Sequence, residues 1–362
     1  EDARAQIARL LHVQPVEIIF TRGGTEANAL PLVSVLRGIS REFPDETPHV
    51  VASAIEHPAV YELLQDLATR GMIELSLVPV DARGVVDLRI MGDMITEKTR
   101  LVSIMYVNNE LGTIQPIREI VKLVRRHRKD LHTPYPLIHT DAIQAAGYLD
   151  IHVPRLGVDM LSLSGSKIYG PRGLGCAYMR KGIPVESFML GGNQEHGLRS
   201  GTEDVAGCVG LAEALELAMG QREREYGRMY DLQQIFLHGI HILQERFPNR
   251  IRLHGSFEHG ERVPNNIHAG IQGISGERLV IELDAQYVAA SARSACSTTE
   301  EGQSHVLTAL YTTMQISEEL VEYGMVRFSM GRETRGSDIE KAMQALGLIM
   351  EKIIQEKQLY DA

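Results

Sequence analysis

At 362 residues the chain exceeds what one ordinary hydrophobic core requires, and two domains are expected. Its 44% hydrophobic and 23% charged residues match an average globular chain, and a net charge of −10 disfavours nucleic-acid phosphate as its main partner. No apolar run is long enough to span a bilayer, the opening EDARAQIARL is neither a secretory signal nor a transit peptide, and Cys176, Cys208 and Cys296 lack the pairing of a disulfide framework or zinc knuckle. The expectation is a protein of the reducing cytoplasm, without metal or membrane.

Taken in chain order, helical spacing in DARAQIARLLHV is followed by the short strand VEIIF and by TRGGTEANALPLVSVLRG, a turn into a helix. HVVASAIE reads as a strand leading into the helix HPAVYELLQDLATRG, and LSLVPVD as another strand. TRLVSIMYV is strand-like and ends at NNELGTIQPIREIVKLVRRHRK; PLIHTDAIQAAG and VDMLSLSGSK continue the alternation. Such alternation predicts an α/β fold with a mostly parallel sheet, whose ligand site lies beyond the C-terminal ends of the strands. From about Val205 the pattern becomes a long helical stretch, expected to be two helices or one bent near Gly220. IRLHG, VPNNIHAGI and ERLVIELD then predict strands and a helix of a smaller α+β lobe, closed by SDIEKAMQALGLIMEKIIQEKQ with Ser337 as its cap. The expected division is a large domain over 1–215 and a small one over 216–362.

Several residues at these strand ends bear on chemistry. Lys167, among Ser164, Gly165 and Ser166 before a Tyr-Gly-Pro turn, is either a partly desolvated amine able to condense with a carbonyl or a solvated loop residue. Gly23 and Gly24 let a backbone approach an anion, with Thr25 as an anion-binding hydroxyl or a plain helix cap. Asp141, three residues before Gln144, can hold a protonated ring nitrogen or cap a helix. His57 can stack on a ring and move a proton, or serve as a cap. Thr25, His57, Asp141 and Lys167 each come after a different predicted strand, a convergence that independent accidents rarely produce.

The segments FTRGGTEAN, EHPAV, VNNELGTIQPI, HTDAIQAAG, SGSKIYGPRGLG, GGNQEHGLRSGTED, PNNIHAGI, SACSTTEEGQSHVL and VRFSMGRET occur in this order from Ala3 to about Leu348. Together they resemble the cysteine desulfurases of the fold-type I, aminotransferase class V group. The match starts past the family's N-terminal Ala-Thr-Thr segment, which the large domain is expected to lack. The resemblance implies a pyridoxal 5'-phosphate-dependent transferase in which Lys167 carries the cofactor as a Schiff base and Asp141 pairs with its ring nitrogen. It further implies that Gln144 meets the ring oxygen and that His57 stacks on the ring and assists proton transfer. Gly24, Thr25 and Ser164 would grip the phosphate, Ser166 would stand where the family usually has histidine, and Thr202 would reach the phosphate of the neighbouring subunit of a homodimer. Asn109 and Arg327 would hold the carboxylate of L-cysteine.

Cys296 lies in the small, polar SARSACSTTEEGQS, expected to be a loop over about 291–305, whereas Cys176 and Cys208 lie in apolar elements and are expected to be inert. Its spacing to Leu307 resembles the long-loop desulfurases, which implies that Cys296 takes sulfur as a persulfide and hands it to an acceptor protein, such as an iron–sulfur scaffold or a tRNA-thiolation carrier. The alternatives are a selenocysteine lyase and a degenerate scaffold homologue.

Overall fold

The computed structural model describes residues 1–292, 304–316 and 322–360. In chain order, α1 (Asp2–Leu11), β1 (Ile18–Thr21), α2 (Gly24–Glu42), β2 (His49–Ser53), α3 (Pro58–Thr69), β3 (Glu74–Val78), α4 (Leu88–Met94) and β4 (Thr99–Ser103) open the chain. They are followed by α5 (Ile117–Asp130), β5 (Leu137–Asp141), α6 (Val153–Leu156), β6 (Met160–Ser164), β7 (Gly175–Met179) and α7 (Val205–Arg246). The alternation expected from the sequence is present.

Strands β1 to β7 form one sheet in the order β1-β7-β6-β5-β4-β2-β3. The pairs β2–β3, β2–β4, β4–β5 and β5–β6 are parallel, and β7 runs against both β1 and β6. Every residue of β2, β4, β5, β6 and β7 is buried, as a sheet covered on both faces requires, and edge strand β3 is only partly so. Ile19, Leu30, Val35, Ile39, Val50, Leu101, Leu137 and Met160 join sheet and helices in one core cluster. Each such side chain removed from water stabilises the fold by about 1.5–3 kcal/mol. Because β7 is inserted in reverse, β1, β6, β5, β4, β2 and β3 all point the same way, and their C-terminal ends share one edge.

The fold separates into two units, Glu1–Val80 with Val85–Asn108 and Ile114–Arg222, and Asp81–Gly84 with Asn109–Thr113 and Glu223–Ala362. The second contains β8 (Ile251–Leu253), β9 (Asn266–Gln272), α8 (Gly276–Asp284), α9 (His305–Met314), β10 (Tyr323–Ser329) and α10 (Gly336–Tyr360). Its strands form an antiparallel sheet in the order β10-β9-β8.

Two expectations are corrected. Helix α7 is one helix over 42 residues rather than two. Gly220 and Gly227 face open space, and each costs only about 1 kcal/mol, too little to break a helix with good helix formers on either side. Ser337 does not cap α10, because the helix already includes Gly336; the Arg335 amide donates instead to Asp338 Oδ2 at 2.9 Å. Among the described residues no helix is long and apolar enough to cross a membrane.

Candidate active site

The segments leaving β1, β2, β5 and β6 meet at the shared sheet edge. Thr25 lies in the first turn of α2, His57 precedes α3, Asp141 is the last residue of β5, and Lys167 closes the 3-10 turn Gly165–Lys167 after β6. All four belong to the first unit.

Gly23 caps α2 with φ 85°, a conformation that disfavours any side chain, so Thr25 is not the cap and its exposed hydroxyl stands in the first turn. A Cβ on Gly24 would lie 2.7 Å from Ile143 Cδ1 and 3.3 Å from Ser164 Cβ, so the bare Gly24 lets this helix end close onto β6 without displacing either side chain. Ser164 Oγ in turn lies 3.1 Å from Ser166 Oγ. Open backbone amides of a 19-residue helix and three hydroxyls thus make a cradle for a dianion such as a phosphate.

Asp141 forms the buried floor. Its Oδ2 accepts from Asn28 Nδ2 at 2.6 Å and its Oδ1 from the Ile143 amide at 2.9 Å. Burial raises its pKa above the usual carboxylate range, while the charge of His57, these two donors and the charge of Lys167 oppose that shift. A cationic ring nitrogen placed here would meet a carboxylate already held for it. The residues therefore fit pyridoxal phosphate at both ends, anion cradle and acidic floor.

His57 is half-buried, and its Nδ1 accepts from the Ala59 amide at 3.1 Å. The capping role thus uses one nitrogen and places the hydrogen of the neutral ring on Nε2. Of the two readings of Lys167, the structure shows an exposed side chain. It and Ser166 are exposed, because the turn held by Gly165 N to Leu174 O at 2.9 Å and Gly170 N to Gly165 O at 2.8 Å carries them past the buried strand. Gln144 is half-buried and Thr202 exposed. The Thr202 loop is tied to the first turn of α2 by Arg199 Nε donating to Glu26 at 2.7 Å.

Three residues that sequence reasoning passed over support this edge. Asn28, one turn beyond Gly24 on α2, holds Asp141. His139, two residues before Asp141 and so on the same face of β5, spans the sheet between Ser103 Oγ and Ser162 Oγ, each at 2.9 Å. Ser162 donates to the Ala27 carbonyl at 2.7 Å, so its oxygen accepts from His139 Nε2–H, and Nδ1 accepts from Ser103. Burial pushes this ring down to about 3. Glu56, beside His57, is fully buried, and burial pushes its carboxyl up to about 8. The period-two alternation around Asp141 could have pointed to His139.

Asn109 and Arg327 both belong to the second unit, where Arg327 Nη1 donates to the Asn109 carbonyl at 3.1 Å. Backbone pairing with Ser291 at 3.1 and 2.8 Å fixes Arg327. The Asn109 side-chain oxygen is buried with no partner among the described residues. Cys296 and most of its expected loop lie outside the described residues. Cys176 on β7 is buried, and burial pushes its thiol up to about 12; the thiol of Cys208 is also raised by burial.

Residues 1–342 match the model of the aminotransferase class-V family. A cysteine desulfurase IscS of Dictyoglomus turgidum is 35% identical, covering 98% of this chain and 84% of its own. A mitochondrial cysteine desulfurase of Arabidopsis thaliana is also 35% identical, over all of this chain and 75% of its own. The solved structure of a NifS-like protein superposes with a TM-score of 0.83 at 31% identity, covering 97% of this chain and 87% of that one. By these matches, and by the sheet and the edge they overlie, the chain belongs to the aminotransferase class-V family and to its cysteine desulfurase group.

Proposed function

We propose that this chain is a pyridoxal 5'-phosphate-dependent cysteine desulfurase that converts L-cysteine to L-alanine and leaves the sulfur as a persulfide on Cys296. The observation that carries the reading is the convergence, on one sheet edge, of the cradle at Gly24, Thr25, Ser164 and Ser166, the acid Asp141, the ring of His57 and the amine of Lys167. In this reading the cradle takes the phosphate, Asp141 the ring nitrogen, Gln144 the ring oxygen and His57 the ring face, and Lys167 is the attachment point. When bound, the cofactor supplies an electron sink that loosens the Cα hydrogen of the substrate and weakens its C–S bond.

The protein supplies the rest. Arg327 and Asn109 hold the substrate carboxylate, Arg327 through a two-pronged ion pair. Lys167, exposed on the turn after β6, would take the Cα proton of the substrate. The Cys296 thiolate attacks the substrate sulfur, forming an S–S bond as the C–S bond breaks, and the remaining three-carbon product takes up protons and leaves as alanine. Buried, high-pKa Cys176 and Cys208 are unsuited to that attack, which leaves Cys296 among the three cysteines. The further reading is a cytoplasmic homodimer in which Thr202 reaches the neighbouring subunit's cofactor phosphate, serving a sulfur-acceptor protein such as an iron–sulfur scaffold.

The test is borohydride reduction of cofactor-loaded protein followed by peptide mass analysis, then incubation with L-cysteine. A pyridoxyl adduct on Lys167 and release of alanine are expected, and Cys296→Ser should retain the adduct while losing the protein-bound persulfide. An unmodified Lys167 with no alanine overturns the proposal. Faster turnover of selenocysteine than cysteine would redirect it to a selenocysteine lyase.

A further inference from the structure

We propose that Glu56 is a positioning residue for this site: its carboxyl pins the end of β2 to the segment leaving β4 and thereby sets where His57 stands beside Asp141. The inference rests on the reading of His57 and Asp141 as cofactor-facing groups.

The geometry is a staple. Glu56 Oε1 accepts from Ser53 Oγ at 2.5 Å and from the Met105 amide at 2.8 Å, and the Ser53 amide also donates to this carboxyl. One residue earlier, the Ile55 carbonyl accepts from Asn108 Nδ2 at 2.9 Å. The peptide between β2 and α3 is thus bound twice to residues 105–108, immediately before His57 turns to cap α3 through Ala59. A slack connection would let the ring wander; this one fixes the ring's root from both sides.

The staple also has a charge state. The ionisable group facing Glu56 from β5 is Asp141; Ser53 and Met105 offer donors only, and His57 is next in the chain and acts on Asp141. Two buried carboxyls near each other do not both ionise readily. Burial raises both carboxyls; at Asp141 the neighbouring His57 and Lys167 oppose the rise, whereas at Glu56 burial outweighs three donors and pushes the carboxyl up to about 8. A protonated Glu56 adds no second negative charge beside Asp141.

The test uses the full chain. In urea unfolding of cofactor-free protein, the contribution of Glu56, read as the wild type minus Glu56→Gln difference at each pH, should fall as pH rises from 4.5 to about 8, because the folded chain keeps a proton that the unfolded one releases. The limit is a tenfold fall in the folding constant per pH unit. Glu56→Gln, neutral and of equal volume, should remove one proton from that dependence; parallel curves for the two proteins overturn the proposal. In cofactor-loaded protein, Glu56→Ala should lower kcat at least about tenfold with KM changed by less than about threefold, and Glu56→Gln should recover most of the loss. Equal loss in both variants, or none in either, also overturns it. If Glu56→Ala does not fold, the Gln comparison decides. If even the wild type fails to bind cofactor, the functional reading falls, and the unfolding curves alone still report on Glu56.

Discussion

Asn28 reaches from α2 to donate its amide to Asp141 at 2.6 Å, so the helix that offers the anion cradle also steers the acid at the floor. Hydrogen bonds to a charged group are worth about 1.5–3 kcal/mol. Asn28→Ala should therefore weaken pyridoxal phosphate binding roughly ten- to a hundredfold, read by absorbance titration, with the fold retained by circular dichroism. Unchanged affinity would show that Asp141 needs no such support.

Gly175, at the start of β7, is wedged between backbones: a Cβ there would lie 2.6 Å from the Leu163 carbonyl oxygen and 2.8 Å from that of Gly23. Neither can yield by rotating a side chain. Gly175→Ala should cost about 1–3 kcal/mol and push Gly23 away from the cradle. A lower urea midpoint together with weaker binding of inorganic phosphate is the expected result.

The buried ring of His139 remains neutral in the folded chain down to about 3, whereas an unfolded histidine takes a proton near 6.5. The stability it contributes is thus fully present above 6.5 and lost as pH falls toward 3. The loss approaches about 1.4 kcal/mol per pH unit for each such group. His254, lowered to about 4, and His268, lowered well below its ordinary value by burial, act in the same sense. His139→Asn should cost stability at pH 7 and flatten the acid limb by one proton, as measured by urea unfolding from pH 4 to 7.

If Arg327 grips the substrate carboxylate with two donors, lysine cannot replace it. Arg327→Lys should raise KM for L-cysteine about tenfold or more while changing kcat much less. A KM equal to the wild type would move the carboxylate site elsewhere.

The parts of the site visible in the sequence are those set by local rules. HTDAIQ and VDMLSLSGSK announce their strands because fully buried runs end abruptly in polar residues, and Gly23-Gly24 announces a turn that only glycine takes easily. The reversal of β7 was not visible, since its direction is decided by pairing with β1 and β6 rather than by its own residues. Glu56 carries no local signal of burial, which comes from Ser53 and Met105 enclosing it, and the sequence leaves Lys167 open between desolvated and solvated because its exposure depends on how the turn leaves β6. At α10 the sequence offers Ser337 as the cap, but the helix begins one residue earlier, at Gly336, so Ser337 falls inside it and Asp338 accepts from the Arg335 amide instead.

The chain of Ser103, His139, Ser162 and Ala27 also acts as a key for assembly. Sliding β5 by a single residue along its neighbours would turn the imidazole to the opposite side of the sheet, part it from both Ser103 and Ser162, and swing Asp141 out of the edge in the same movement. Misaligned folding intermediates are thereby penalised at the spot where misalignment would disable chemistry, so a molecule that passes this checkpoint has its acid correctly aimed before any cofactor arrives.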